Sequence, residues 1–383
     1  FDAVSRERLY VRIESEGFNA LYGDFVTGFD QTDLAAYRRT LTGARVEVRD
    51  GQWHVEAFAA KTASTQRRDE LQGNGLTGPY RLSTRAIVPN SERVMLQVRD
   101  RFRSEVIVSQ QEMVRFVDYD IDLLSATIRF RQPILSRDAD LNPRFIVIDY
   151  EVDEGRGRSS MNAGIRADYT AFDGALVVGT TAISDSTNDL RGTLVAMDVR
   201  AQLGTATELR GEVAASDMGP ERGMSWQAEA EHHSGKLDVL AYARSIAPEF
   251  GIGQQNLAEK GRRKFGVDAR FALDAAASIT ASTWLDQSLL DESQRYAAQI
   301  NAVFRTQKSD WRLGFAHFSD RLSDGSRQES SVAEGAVTRR LLGDRLELEL
   351  SSSIALGTAG SVDLPERYRL GARYALNSST RLL

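Results

Sequence analysis

The chain has 383 residues, no cysteine, four scattered histidines and a formal net charge of −6. Without cysteine there is no disulfide, no thiolate catalysis and no Cys-based zinc site. Without a basic stripe there is no footprint for nucleic acid. No stretch approaches the ~18 consecutive apolar residues of a membrane-spanning helix. Strands that cross a bilayer are only half apolar, so a mean hydropathy of −0.36 does not exclude them.

The chain opens on "FDAVSRERLY", which has neither a basic nor an apolar targeting region and reads as the start of a mature product or of a fragment. Four alternating arms follow, at about 8–15, 19–27, 35–48 and 52–62, the last two joined by the polar turn "RDGQ" (49–52). Period-two alternation without helical periodicity predicts strands. Residues 1–62 are therefore expected to be the first strands of a large sheet.

Residues 63–142 break this rhythm. Their inner part carries several short strand patterns with a compact apolar set that includes Val106, Val114, Phe116, Ile121, Ile128 and Phe130. The expectation is a small inserted β-domain, either extracellular or a plug within the lumen. Asp118, Asp120 and Asp122 are spaced to share one side of a strand, and Asp138, Asp140 and Asn142 follow in a loop. Oxygen-rich clusters of this kind suit Ca²⁺, which takes six to eight oxygens; the plain alternative is a solvated acidic face. "GNGLTG" (73–78) lacks the Lys-Ser/Thr of a P-loop, and no cofactor fingerprint occurs elsewhere.

From 143 to 383 the alternation resumes. Tight turns such as "FDG" (172–174), "HSGK" (233–236), "TQKSD" (306–310) and "LLGD" (341–344) alternate with longer polar segments such as "SDSTND" (184–189), "DMGPERG" (217–223) and "APEFGIGQQNLAEKGRR" (247–263). The arms between them, about 9–13 residues, have the length of tilted membrane strands. Aromatic residues gather near arm ends: Trp53, Phe304, Trp311 and Tyr374 by short turns, and Trp226, Trp284, Tyr296 and Tyr368 by long segments. With Phe315 they are expected to face lipid, as two interfacial girdles. The opposite side would line a polar lumen of mixed charge through Asp268, Arg270, Gln299, Arg305, Arg312, Glu347, Glu349, Arg369 and Arg373. Arg262, Arg263 and Lys264, near a long segment, are placed to meet lipopolysaccharide phosphates. His232 and His233, beside Glu229 and Glu231, lack a distinctively spaced nucleophile and read as turn-flanking residues.

These patterns predict an all-β fold: a transmembrane antiparallel up-and-down β-barrel of about 18 strands or more, with 63–142 inserted. The chain ends on "NSSTRLL" rather than on a closing aromatic residue, which suggests missing strands. A soluble β-sandwich or solenoid gives the same alternation. Segments "LYGDF" (21–25), "RDELQGNGLTGPYRLS" (68–83), "RDRFRSEVIV" (99–108), "FVDYDIDLLSATIRFRQPI" (116–134) and "FIVIDYEV" (145–152) resemble parts of very large, poorly characterised outer-membrane proteins of Gram-negative bacteria. The "VDYDID…ATIRF" phrase is also loosely similar to the barrel of the type IX secretion translocon. The resemblance covers mainly residues 20–152. It implies a large envelope protein of which this chain is part, and it transfers no catalytic residue. The expected place is the cell outer membrane, with outer-membrane lipid, lipopolysaccharide and other envelope proteins as partners. The expected function is non-enzymatic: a porin-like pore, an export conduit or the membrane anchor of a surface assembly. The alternatives are an adhesion or scaffold protein with a blocked lumen and, last, a barrel hydrolase.

Overall fold

The computed structural model describes residues 11–62, 64–100, 106–138, 142–153, 160–187, 190–253, 260–357, 366–376 and 381–382. Four strands come first: β1 (Val11–Ser15), β2 (Phe18–Val26), β3 (Thr40–Asp50) and β4 (Trp53–Thr62). Seven shorter ones follow: β5 (Thr65–Gln72), β6 (Tyr80–Arg81), β7 (Arg93–Arg99), β8 (Ile107–Met113), β9 (Tyr119–Asp122), β10 (Thr127–Phe130) and β11 (Arg144–Val152). Then come β12 (Ser160–Ala171), β13 (Leu176–Thr187), β14 (Leu190–Leu203), β15 (Thr207–Met218), β16 (Glu221–His233), β17 (Leu237–Ile246) and β18 (Arg262–Ala272). The last are β19 (Ala277–Ser288), β20 (Gln294–Arg305), β21 (Ser309–Arg321), β22 (Arg327–Leu341), β23 (Leu346–Leu356), β24 (Arg367–Ala375) and β25 (Arg381–Leu382).

Eighteen of these strands form one sheet. Each pairs antiparallel with the next: β1 through β4 in order, then β4 with β12, then β12 through β25. The fold is thus an all-β meander. The expected closure into a barrel is not seen as a ladder: among the described residues β1 and β25 do not pair with each other.

Register separates two faces, because side chains alternate across each strand. One row runs Ala281, Ile300, Phe315, Ala333, Ile354 across five strands. The neighbouring row on the other face runs Arg270, Thr280, Asn301, Gly314, Glu334, Ser353. The first face is apolar and uncovered; the second is polar and partly filled.

Two expectations are corrected. Short and long connections do not alternate strictly, because the polar segments 184–189 and 217–223 are mostly strand: β13 pairs with β14 up to Thr187 and Leu190, and β15 with β16 up to Met218 and Glu221. Polar residues continue these ladders instead of leaving them. The inserted domain also does not end at 142. Strand β11 pairs with β5 and β7, in a four-stranded sheet ordered β5-β11-β7-β8. A three-stranded sheet, β6-β10-β9, packs on it through Val94, Ile128, Phe130, Ile146, Ile148, Tyr150 and Val152. Strand β11 is buried on both sides, so it takes the middle of a small sandwich rather than a place in the large wall.

Candidate functional site: the polar face of the large sheet

The connection between β2 and β3 is residues 27–39; its last five residues fall within the expected arm 35–48, but β3 starts only at Thr40. It folds onto the polar face as a strap. Phe29 bridges to Tyr37, and the Thr27 amide donates to the Arg39 carbonyl at 2.9 Å. Its apolar side chains, Phe29, Leu34, Ala35 and Tyr37, are buried against Phe58, Ile183, Leu194, Ala196 and Ala214 of the wall. Tyr37 stacks on Phe58 with ring centroids 5.5 Å apart. Gly164 leaves the room: a Cβ there would meet the rings of Phe29 and Phe58.

Polar contacts fix the strap at two points. At one, the amides of Asp33, Leu34 and Ala35 all donate to the Glu212 carboxylate, at 3.1, 3.0 and 2.9 Å. At the other, the Arg39 guanidinium binds Glu151 of the inserted domain at 3.0 and 2.6 Å and Asp185 of β13 at 3.0 Å. Tyr37 Oη also donates to Asp185, at 2.8 Å. Arg39, Glu151 and Asp185 are each at most 5 % exposed. Burial works against the Arg39 charge, yet Glu151 and Asp185 hold its pKa above the ordinary arginine value. Burial, then the neighbouring Asp185 charge, pushes the Tyr37 phenol up. One arginine therefore joins strap, wall and insert.

Beneath the strap, toward the short turns, lies a hollow of about 580 Å³. Its lining includes Asp33 of the strap with Arg166, Asp198, Arg200, Glu212 and Glu229 of the wall. Arg166 donates to Asp168 at 2.5 Å and to Asp198 at 2.8 Å. A second hollow of about 390 Å³ is bordered by Asp268, Arg270 and Gln299, and a small one of about 80 Å³ by Arg312, Glu349 and Arg369. By contrast the half of this face nearer the long connections is filled, by the strap, by Phe250 and Ile252 after β17, and by a cluster around Trp284.

All nine residues assigned to a lumen from sequence fall on this polar face. Asp268 accepts from Ser282 at 2.5 Å, Arg270 lies 3.6 Å from Asp238, and Glu347 lies 3.1 Å from Arg373. Gln299 and Arg305 share the β20 side that carries Asn301. Of the residues expected to face lipid, all but Trp284 lie on the opposite face. Trp53 packs on Tyr169 with centroids 4.9 Å apart, and Phe304 is directly opposite Trp311. Trp226 and Tyr296 flank an apolar stretch with Leu285 and Phe265, while Phe315, Tyr368 and Tyr374 continue it over β21 and β24.

Three other expectations change. Trp284, placed with the girdle, points to the polar face instead, where it is buried edge-on to Phe318 at 6.3 Å. Its position is one residue off the period of Leu285 and Thr283. Arg262 and Lys264 bind Asp286 on the polar face, at 2.7 and 3.7 Å, which leaves only Arg263 of the basic trio on the apolar side. Asp118, Asp120 and Asp122 do not converge on a Ca²⁺ site: Asp118 lies in the turn before β9 and accepts from the Val114 amide, Asp120 pairs with Arg131 at 2.8 Å, and Asp122 accepts from Ser125 at 2.6 Å. Asp140 falls outside the described residues, among which no group of three or more acidic, His or Cys side chains has metal-binding geometry. His232 and His233 end β16 beside the turn 234–236, in contact with Thr207 and Asp238 at 2.8 and 2.7 Å.

No known protein family and no curated protein matches the chain. Among solved structures it is similar to the translocation pore of the P pilus usher PapC, at 12 % identity and a TM-score of 0.42, covering 95 % of this chain and 79 % of that one. It is similar to an E. coli P pilus tip assembly intermediate, PapC-PapD-PapK-PapG, at 13 % identity and a TM-score of 0.38, covering 97 % and 49 %. A third likeness is to the FrpB iron transporter from Neisseria meningitidis, at 9 % identity and a TM-score of 0.28, covering 90 % and 58 %.

Proposed function

We propose that the chain is a non-enzymatic β-barrel of a Gram-negative outer membrane that acts as a conduit, with the insert and the strap set toward its outer mouth. The observation that carries this reading is the uncovered apolar face. Val195, Met197, Ile300, Leu313 and Leu370 are 49–80 % exposed on it, and such residues recur on nearly every strand from β12 to β24. Soluble monomers rarely expose a contiguous apolar patch beyond a few hundred Å². Along β20 the apolar side from Tyr296 to Phe304 spans about 27 Å at ~3.4 Å per residue, roughly the ~25 Å band of such barrels once the strands tilt. An open edge is untenable in lipid, so the two outer edges of the eighteen-stranded sheet are taken to be covered by each other or by further strands. Outer-membrane lipid covers the apolar face, and Arg263 lies at the level of lipopolysaccharide phosphates.

The filled half of the polar face favours one second reading, a surface scaffold with a blocked lumen and other envelope proteins as partners. Reconstitution into planar bilayers separates the two. A conduit gives steady or gated current; a scaffold gives none. The membrane assignment itself is sunk if the protein stays monodisperse in buffer without detergent.

A further inference from the structure

We infer that the strap 27–39 is an internal gate and that Arg39 couples its release to the inserted domain; the inference rests on the conduit reading. In a conduit the passage follows the polar face, from the hollows near the short turns toward the long connections. The strap lies across that line, with Asp33 at the hollow of about 580 Å³ and Phe29, Leu34 and Tyr37 buried against the wall. Its attachments are of two kinds. The Glu212 carboxylate collects three successive amides, and Gln227 donates to the Asp33 carboxylate at 3.2 Å, which together fix the crest of the strap. The Arg39 guanidinium fixes its end, and there one acceptor belongs to the wall and the other to the insert.

The second attachment carries the coupling. Glu151 is on β11, the central strand of the insert, and it also accepts from Ser64 Oγ at 2.8 Å, at the point where the chain enters the insert. A shift of the insert that withdraws Glu151 leaves a buried guanidinium half-neutralised. The same holds in reverse: lifting the strap removes the cation that separates Glu151 from Asp185. Charges buried in this way are stable only together, so strap and insert have a shared open state and a shared closed state. A partner that grips the insert would thereby open the passage.

The test uses the full chain in lipid. Arg38 is exposed but Arg39 is buried, so trypsin cuts after Arg39 only when the strap leaves its bed; the rate of cutting at that bond reads release and bilayer current reads passage. Glu212→Gln, acting at the crest, and Glu151→Gln, acting from the insert, are each expected to raise both signals at least tenfold. A double variant in the strap alone, Phe29→Ser with Tyr37→Ser, guards against misfolding of the wall. If Glu151→Gln leaves the cutting rate unchanged while Glu212→Gln raises it, the coupling is overturned. If cutting accelerates but a current already present in the wild type does not change, the strap is no gate. If cutting accelerates and no variant passes current, the conduit reading itself fails.

Discussion

Thr62 pairs with Ser160 as the last described rung between β4 and β12, and Thr65 pairs with Val152 in the ladder between β5 and β11. The inserted domain thus leaves the large sheet and rejoins it at adjacent points, like a side branch on one hairpin. Its two sheets share an apolar core that is separate from the cluster under the strap.

That attachment makes the true boundary testable by excision. Removing 64–153 joins β4 to β12 through a short loop and is expected to leave a wall that folds in detergent. Removing only 64–142 keeps β11 without its partners and exposes Ile146, Ile148, Tyr150 and Val152, each of which is at most 1 % exposed in place. At roughly 1.5–3 kcal/mol per apolar side chain, this shorter deletion is expected to aggregate. The yield of folded, heat-resistant protein in the two variants decides the matter; equal yields would return β11 to the wall.

Arg39 is expected to be among the least replaceable residues. Arg39→Ala leaves Glu151 and Asp185 buried without a cation, a loss on the order of 3–5 kcal/mol. Arg39→Lys keeps the charge but cannot reproduce the paired contacts to Glu151, so it should restore only part of the loss. Arg39→Met combined with Glu151→Gln and Asp185→Asn should recover most of it. Urea midpoints in detergent give the ranking, and a harmless Arg39→Ala contradicts the role assigned here.

How much of this was legible beforehand follows from the period of the signal. A side chain's face depends only on parity along its strand, so Asp268 and Arg270 could be separated from Phe265 and Val267 by counting. The strap could not be found in this way. "TGFDQTDLAAYRR" has the composition of an ordinary polar loop, and its bed consists of residues from β4, β13, β14 and β15, as much as 187 positions away from Thr27 at Ala214. The role of β11 was hidden for a related reason. "RFIVIDYEV" has the length and apolar content of a wall strand, and only its long-range partners Gln72 and Val98 show where it belongs. Asp118 was misplaced because the turn 116–118 interrupts the strand on which the i, i+2, i+4 spacing relied.

The two faces of β20 predict opposite responses at adjacent positions. Ile300→Arg sets a charge in the middle of the apolar band, where such a substitution costs about 2–4 kcal/mol in a membrane barrel. Asn301→Arg points instead to the polar face, opposite Thr280 and Gly314, and should cost less than about 0.5 kcal/mol. Folding yields into lipid vesicles compare them directly. Equal penalties at both positions would mean that both faces are dry.

Asp149 on β11 supplies a pH dependence within the insert, outside the wall. Burial raises its pKa above the ordinary 3.8, and the nearest cation, Arg68, is 3.8 Å away, too far for a hydrogen bond. One of its carboxylate oxygens is buried with no hydrogen-bond partner. Because the folded state binds this proton more tightly than the unfolded chain, the associated stability is complete below pH 3.8 and is lost as pH rises through the folded value. At pH 7 the ionised carboxylate is therefore a net cost. Asp149→Asn should stabilise the insert there by about 1 kcal/mol, the scale of one poorly satisfied buried polar group. The gain should shrink toward zero as the pH is taken below 3.8. Thermal melts of the two proteins across this range give the difference curve. A variant less stable than the wild type at pH 7 would show instead that attraction to Arg68 outweighs the burial of the charge.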